Sequence, residues 1–323
     1  MMKKQSLMIM ICFSIATSLF GQPTGSDGKS PEKKTVVKKT DRQKTGAAGK
    51  RVSNTNNLNT LLYEISGKGL VEPSYLFGTM HILCADDAKL SPAMKNIIRE
   101  TGQVYFEIDM DNLQEMMGAI QYLRMNDGKQ LSDFLTDVEY DRVKKYFEKN
   151  KTMLPFSMMN RFKPYFISSL IGEQMMTCEK KNGMETLIMS ESRQYKKEIR
   201  GLETTKFQAG IFDSIPYDKQ AKDLVNYIDS IDNYREITEQ LVDVYRDQNL
   251  QQLDSLMHKS DPGMEQYMDL LLYDRNKNWV RQMPAIMSAK STLFAVGAGH
   301  LPGEQGVIKL LSKAGYKVTP VAN

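Results

Sequence analysis

The chain has 323 residues, enough for one large domain or two small ones, and its 41% hydrophobic and 25% charged residues fit a soluble globular protein. The net charge of +4 is unevenly spread: residues 1–57 carry +8, which leaves residues 58–323 at −4. A mildly acidic globular part has no electrostatic basis for holding nucleic acid, and no nucleic-acid partner is expected.

Lys3 and Lys4 precede an apolar run from Leu7 to Phe20, interrupted only by Ser14, Thr17 and Ser18. The run is short for a membrane span, which needs ~20 residues, and reads as a secretory signal peptide over residues 1–21, cut near Gly21. An uncleaved anchor is the alternative. Cys12 lies inside the run and not after a small-residue box, so a lipoprotein is not expected. Residues 22–57 hold nine basic and three acidic residues among Thr, Gly, Ser and Asn. Nothing there offsets the entropy of ordering, so the segment reads as a disordered basic linker, able to associate loosely with an anionic envelope surface. The expected location is exported, either periplasmic or secreted. Beyond the leader, Cys84 and Cys178 remain. An oxidising compartment would permit a disulfide; free buried thiols are equally open.

The folded part is expected over residues 58–323. Leu61–Ile65 reads as a first strand closed by the turn Ser66-Gly67-Lys68-Gly69, and Tyr75–Phe77 as a second. Ser91-Pro92 opens a helix to about Glu100. Val104–Met110 alternates as a third strand, with Glu107 and Asp109 on one face. Helices follow over 111–125, 137–150, 163–177, 184–195, 218–231 and 234–247, interrupted by the strand Glu198–Glu203. The Met and Leu stripes of these helices read as core, not as a cofactor box. A helix over 264–289, the apolar strand Thr292–Val296, a helix over 306–314 and a closing strand over 316–321 complete the chain. Strands at both ends with helices between them predict one mixed α/β (α+β) domain. Its central mixed β-sheet would be completed by the N- and C-terminal segments and flanked by helices.

Histidine is scarce: only His81, His258 and His300 occur. Two of them end the same pattern, an apolar strand followed by Gly-x-x-His, at Gly78–His81 and Gly297–His300. With 21 glycines in the chain, two of three histidines would share that spacing by chance about one time in a hundred. A glycine after a strand lets the backbone turn or approach a ligand, and strand ends are where α/β folds place functional groups. Imidazole suits both metal ligation and proton transfer. The competing reading is two loop histidines that cap local backbone. His258, in a polar helical stretch, reads as surface.

Glu72–His81 and Val296–Gly303 resemble the two signature segments of the TraB/PrgY/GumN family, within the wider Tiki-like and erythromycin-esterase-like fold group. Val104–Asp109, Gly201–Thr204 and Arg275–Trp279 match further family stretches in order. The resemblance implies a central sheet with packed helices and a hydrolase-type site shared with Tiki-like, metal-dependent proteases. The wider group also holds metal-independent esterases and a heme binder, so fold alone does not transfer activity.

The candidate catalytic residues are therefore His81, Glu107, Glu203, Arg275 and His300. The candidate metal ligands are His81, Glu107 and His300, for a divalent ion such as manganese, cobalt or zinc. In this reading the ion activates water, Glu203 moves protons and Arg275 stabilises an oxyanion. Without metal, His81 would be the general base, oriented by Glu107. Each assignment has a bland counterpart: Glu107 as a surface residue on an edge strand, Glu203 as an acid near a helix start, and Arg275 as a structural ion pair. Cys84 follows His81 by three residues, but no second pair completes a zinc pattern. No H-E-x-x-H or Gly-x-Ser-x-Gly motif occurs. The expected function is hydrolysis of a peptide or amide bond in a peptide or small-molecule substrate. The alternative is a non-catalytic protein that sequesters a peptide or small ligand, heme included.

Overall fold

The computed structural model describes residues 58–150, 154–260 and 265–323; the expected leader and linker lie outside them. The strands are β1 (Leu62–Ser66), β2 (Ser74–Thr79), β3 (Leu83–Cys84), β4 (Gln103–Ile108), β5 (Lys181–Asn182), β6 (Glu198–Glu203), β7 (Thr292–Gly297) and β8 (Lys317–Pro320). Six of them form one sheet in the order β6-β4-β7-β2-β1-β8. β6, β4, β7 and β2 run parallel, and β1 runs antiparallel to both β2 and β8. The fold is the expected mixed α/β class, and the two ends of the globular part do meet in one sheet: β7 lies between β4 and β2, and β8 closes on β1.

Alternation along the strands sends side chains to two apolar layers. Leu76, Phe294 and Val296 pack on one face with Trp279, Met283 and Met287 of the Asp274–Ala289 helix and Val307 and Leu311 of the Val307–Lys313 helix. Phe77, Leu293, Ala295, Val104 and Phe106 face the larger layer, built on the helices of the middle region. Parallel pairing on both sides and cover on both faces explain why β7 is buried throughout and apolar from Leu293 to Val296.

The Ser91-Pro92 helix start is realised as read. The Ser91 hydroxyl accepts from the Met94 amide at 3.0 Å with Pro92 in the first turn. Thr136 and Glu139 form a reciprocal cap at the start of Asp137–Lys149. The differences have physical causes. The β4 strand stops at Ile108, because Asp109 turns to accept the Asp111 amide at 3.2 Å. The helix expected over 264–289 becomes a π-helical turn, Asp269–Tyr273, then the helix Asp274–Ala289. The carbonyl of Leu271 in that turn accepts from the Arg275 side chain at 3.1 Å. Two helices for which the sequence reading gave no range, Thr205–Ile211 after Glu203 and Leu250–Ser260 around His258, complete the middle region. Among the described residues no helix is long and apolar enough to cross a membrane.

Beside the main sheet, β3 and β5 form a short antiparallel ribbon, and Cys84 on β3 is disulfide-bonded to Cys178, with Cα atoms 5.8 Å apart. The bridge closes a long loop (sequence separation 94) and so constrains the unfolded chain strongly. Replacing both cysteines by serine is expected to lose about 2–4 kcal/mol, read as a lower urea midpoint under non-reducing conditions; an unchanged midpoint would contradict this.

Glu173, on the Pro164–Met175 helix, has a carboxyl oxygen buried without a hydrogen-bond partner among the described residues. Burial pushes its pKa up to about 7, only partly opposed by Lys181. A raised carboxyl pKa means the folded state resists ionisation. Stability is then full below the unfolded value and falls as pH rises toward 7. Glu173→Gln should leave thermal stability unchanged near pH 4.5 and raise it at pH 8 by about 1–3 kcal/mol, as calorimetry at the two pH values will show.

Candidate active site

The β2–β7 pairing is parallel and places Thr79 opposite Gly297. Both Gly-x-x-His loops therefore leave the same edge of the sheet from neighbouring strands. Gly78 is packed so closely that an added Cβ would sit 3.1 Å from the Cα and Cβ of Ala298, in the other loop. Next along the same edge come Glu107 near the end of β4 and Glu203 at the end of β6. Four parallel strand ends thus supply His81, His300, Glu107 and Glu203, the position where open α/β sheets hold ligands.

Arg275 enters from the first turn of the Asp274–Ala289 helix and is 2% exposed. Its Nη2 donates to Glu107 Oε2 at 2.6 Å and to Glu203 Oε2 at 2.9 Å, and Nε donates to Glu203 Oε2 at 3.0 Å. Gln208 Nε2 donates to the same two carboxylates at 3.0 and 3.2 Å. The Gly297 amide donates to Glu107 Oε1 at 2.8 Å. Burial by itself would raise the Glu107 pKa, but the Arg275 guanidinium and the Gly297 N–H hold it well below the usual carboxylate range. Glu107 is thus a buried acid on an interior strand, and the edge-strand reading is set aside.

His300 is fully buried in a 3₁₀ turn directly after β7. Its Nδ1 lies 2.6 Å from Asn276 Oδ1. The Asn276 amide nitrogen is spent on the carbonyls of Gln305 and His300, at 2.9 and 3.3 Å, so Oδ1 is an acceptor and Nδ1 carries the proton. The lone pair is then on Nε2, which faces Arg275 Nη1 at 3.2 Å and stands 3.8 Å from Glu107 Oε1. Burial and the adjacent Arg275 press the His300 pKa down to about 3, so the ring is neutral. Trp279, the only tryptophan of the chain, lies 4.4 Å from the His300 ring and 5.0 Å from the Arg275 guanidinium.

His81 has a different partner from the one expected. Its Nδ1 lies 2.6 Å from Glu185 Oε1 in the first turn of the Met184–Gln194 helix. Glu107 does not orient it, because Arg275 already engages that carboxylate. Burial works against a charged His81, but the Glu185 carboxylate overcomes it and raises the pKa to about 9. At neutral pH His81 is therefore an imidazolium, which can give a proton but cannot act as the general base expected for a metal-free site. The β3–β5 ribbon delivers Glu185. After Asn182, Gly183 passes so near the His81 loop that a Cβ would lie 2.4 Å from the His81 carbonyl oxygen. The Met184 amide donates to the Met80 carbonyl at 3.1 Å.

All five candidate residues thus gather at one edge of the sheet. Of the two readings of Arg275, the ion pair is what it makes; Glu203 is held in that pair and not posed alone as a proton carrier. His258 is exposed beside Asp254, as expected for a surface residue. Glu185 and Gln208 were missed by sequence reasoning. An acid in the first turn of a helix reads as a dipole partner, and nothing marks a glutamine. Asn276 had one signal, its place beside Arg275 in the family-like segment.

The three expected metal ligands do not form a ready cluster: among the described residues no group of three or more His, Cys, Asp and Glu is arranged to hold an ion. The reason is Arg275, which engages Glu107 and faces His300. The donor chemistry fits a divalent ion once His81 gives up its Nε2 proton, since an imidazolium has no lone pair to offer. Each imidazole has Nδ1 fixed by an oxygen acceptor, Glu185 or Asn276, the arrangement that orients ligating histidines through Nε2.

The TraB/PrgY/gumN family model matches residues 61–320. The chain belongs to that family. It is 23% identical over 315 residues to "Metalloprotease TIKI1" of Danio rerio, covering 81% of this chain and 63% of that protein. It is 22% identical over 363 residues to "Metalloprotease TIKI2" of Xenopus tropicalis, covering 96% of this chain and 66% of the relative. Human "Metalloprotease TIKI1" is 22% identical, with 81% and 62% covered. The chain thus spans a little under two thirds of the length of these relatives, a distant relationship to proteins named metalloproteases. No solved structure matches it.

Within this family site, Arg275→Ala would leave Glu107 and Glu203 buried without their cation. The expected loss is about 3–5 kcal/mol in urea unfolding followed by Trp279 emission. Arg275→Lys should restore only part of it, since an ammonium cannot span both carboxylates as the planar fork does. Full stability in the alanine variant would mean the carboxylates are not held as described.

Proposed function

We propose that this chain is an exported hydrolase that cuts a peptide or amide bond at the edge where the two Gly-x-x-His loops meet, with the help of a divalent ion. The observation that carries the reading is the Thr79–Gly297 register, which sets both loops side by side next to Glu107, Glu203 and Arg275. The relatives named metalloproteases support the same class of chemistry.

His81, His300 and Glu107 would hold the ion, manganese, cobalt or zinc. When bound, it supplies a water of lowered pKa and polarises the scissile carbonyl. The chain's own groups do the rest. Asn276 keeps His300 in the tautomer with its lone pair on Nε2, which Arg275 Nη1 would have to release for the ion to be held there. Glu185 holds the His81 ring in place through Nδ1, and His81 would shed its Nε2 proton to hold the ion. Arg275 neutralises Glu107 and Glu203, and its Nη1, turned toward His300, is placed to stabilise developing negative charge. Gln208 ties the two carboxylates to the Thr205–Ile211 helix.

One observation favours a second reading. Arg275 lies against His300 Nε2, and His81 is held protonated. In such a site no metal is needed: water adds to the carbonyl as His300 Nε2 takes its proton, Arg275 stabilises the oxyanion, and His81 protonates the leaving amine as the C–N bond breaks. The test is a titration of the purified protein with manganese, cobalt and zinc, read by calorimetry and by Trp279 fluorescence, beside a His81→Ala/His300→Ala variant. Saturable binding that is lost in the folded double variant, with peptide cleavage lost alongside, supports the ion-assisted reading. Cleavage that survives rigorous chelation, with no ion bound, moves the assignment to the second. Ligand capture without any product would make the chain a sequestering protein and sink both.

A further inference from the structure

The Cys84–Cys178 bridge joins the two segments that meet at His81. The loop that carries His81 leaves β2 at Thr79 and ends in β3, where Cys84 sits. Cys178 lies between the Pro164–Met175 helix and β5, at the head of the segment that passes Gly183 to reach Glu185. Few other bonds join these segments. β3 and β5 pair over two residues each, Leu83 with Asn182 and Cys84 with Lys181. The Ala85 amide donates to the Lys180 carbonyl at 2.9 Å, and the Met184 amide to the Met80 carbonyl at 3.1 Å. So short a ribbon is marginal in water without further support.

The main sheet does not depend on the bridge. β3 and β5 form a sheet of their own, and both cysteines sit only partly buried at the margin of the larger apolar layer. The Met184–Gln194 helix has separate anchors, because Met184 and Ile188 are buried in that layer. What the bridge holds is therefore the far end of the His81 loop, against the segment that presents Glu185. The bridge is also within reach of solvent. Cys84 lines an open cleft with Asp87, Thr177, Glu239, Val242 and Asp243, with a cavity volume of about 140 Å³. That is close to the ~150 Å³ that takes up a benzene molecule, room for a small thiol.

We propose that the Cys84–Cys178 bridge is a reducible latch on the candidate site: a dithiol that opens it loosens the His81 loop from the Glu185 segment and lowers activity, while the six-stranded sheet stays folded. One thiolate of the dithiol attacks the Cys84 sulfur, the S–S bond breaks, and Cys178 leaves as a thiolate that takes up a proton. The second sulfur of the dithiol then closes on the first and releases Cys84. The bridge gains two electrons and two protons and ends as two thiols, and the dithiol ends as a cyclic disulfide. The effect on activity rests on the hydrolase reading; the loosening of the loop does not.

The test is amide hydrogen exchange read by mass spectrometry on the full chain, before and after dithiothreitol, with opening of the bridge followed by alkylation of Cys84 and Cys178. Exchange over residues 80–86 should quicken by about tenfold or more on reduction, stay unchanged in β4 and β7, and return when glutathione disulfide closes the bridge again. Cys84→Ser/Cys178→Ser should show the fast exchange without reductant and no response to it. Peptide cleavage should fall by about tenfold in kcat with the loop loosened and recover on reoxidation. A bridge that dithiothreitol does not open in the folded protein overturns the latch. So does unchanged exchange over residues 80–86 after complete reduction, or fast exchange that spreads to β4 and β7, which would make the bridge a staple of the whole fold. Cleavage at full rate with the loop loosened also overturns it and leaves the hydrolase reading standing. Absence of cleavage in the bridged protein removes the hydrolase reading and with it the effect on activity, and the exchange result alone then upholds or overturns the loosening.

Discussion

Two carboxylates are buried at adjacent strand ends, and Arg275 is the cation that bonds both. Its guanidinium bonds Glu107 and Glu203 and also reaches the Leu271 carbonyl and His300. The planar fork suits the task, since several directed donors spread one charge over partners on different strands. This contact depresses the pKa of Glu107 and, together with burial, keeps His300 neutral. Gln208 and the Gly297 amide complete the set, so the polar centre is hydrogen-bonded although nearly dry.

The two histidines share a motif but not an environment. His300 is pressed toward neutrality between Arg275 and Trp279, with Asn276 choosing its tautomer. His81 is drawn toward the charged form by Glu185. Two imidazoles with opposite protonation, side by side, make an acid and a lone-pair donor out of one residue type. The difference comes from what packs behind each ring. Behind His300 is the helix that carries Arg275; behind His81 is the helix start delivered by the β3–β5 ribbon and its disulfide.

That ribbon links stability to the site. Cys84 lies three residues beyond His81, and Cys178 precedes the strand that leads to Gly183 and Glu185. Tethering the two segments shortens the search that brings Glu185 to His81. The close passage of Gly183 over the His81 carbonyl permits no side chain there. Leu241, Tyr245 and Leu253 line a small cavity that borders the same loop.

Much of this was legible from residues in order. Apolar runs marked the strands, Ser91-Pro92 marked a helix start, and the repeated Gly-x-x-His after a strand marked His81 and His300. Those are local properties, set by a residue and its near neighbours, and a chain shows them before it folds. Glu107 and Arg275 were legible as candidates, but not as partners. They are 168 positions apart, and only sheet order and helix packing decide which cation meets which carboxylate. Glu185 and Gln208 carried no signal, because their role is contact with something distant in the chain. The sequence by itself determined the elements, the fold class and the paired histidines. The tertiary structure decided charge states and partners, because these depend on burial and on distances of a few ångströms between segments that sequence order keeps far apart.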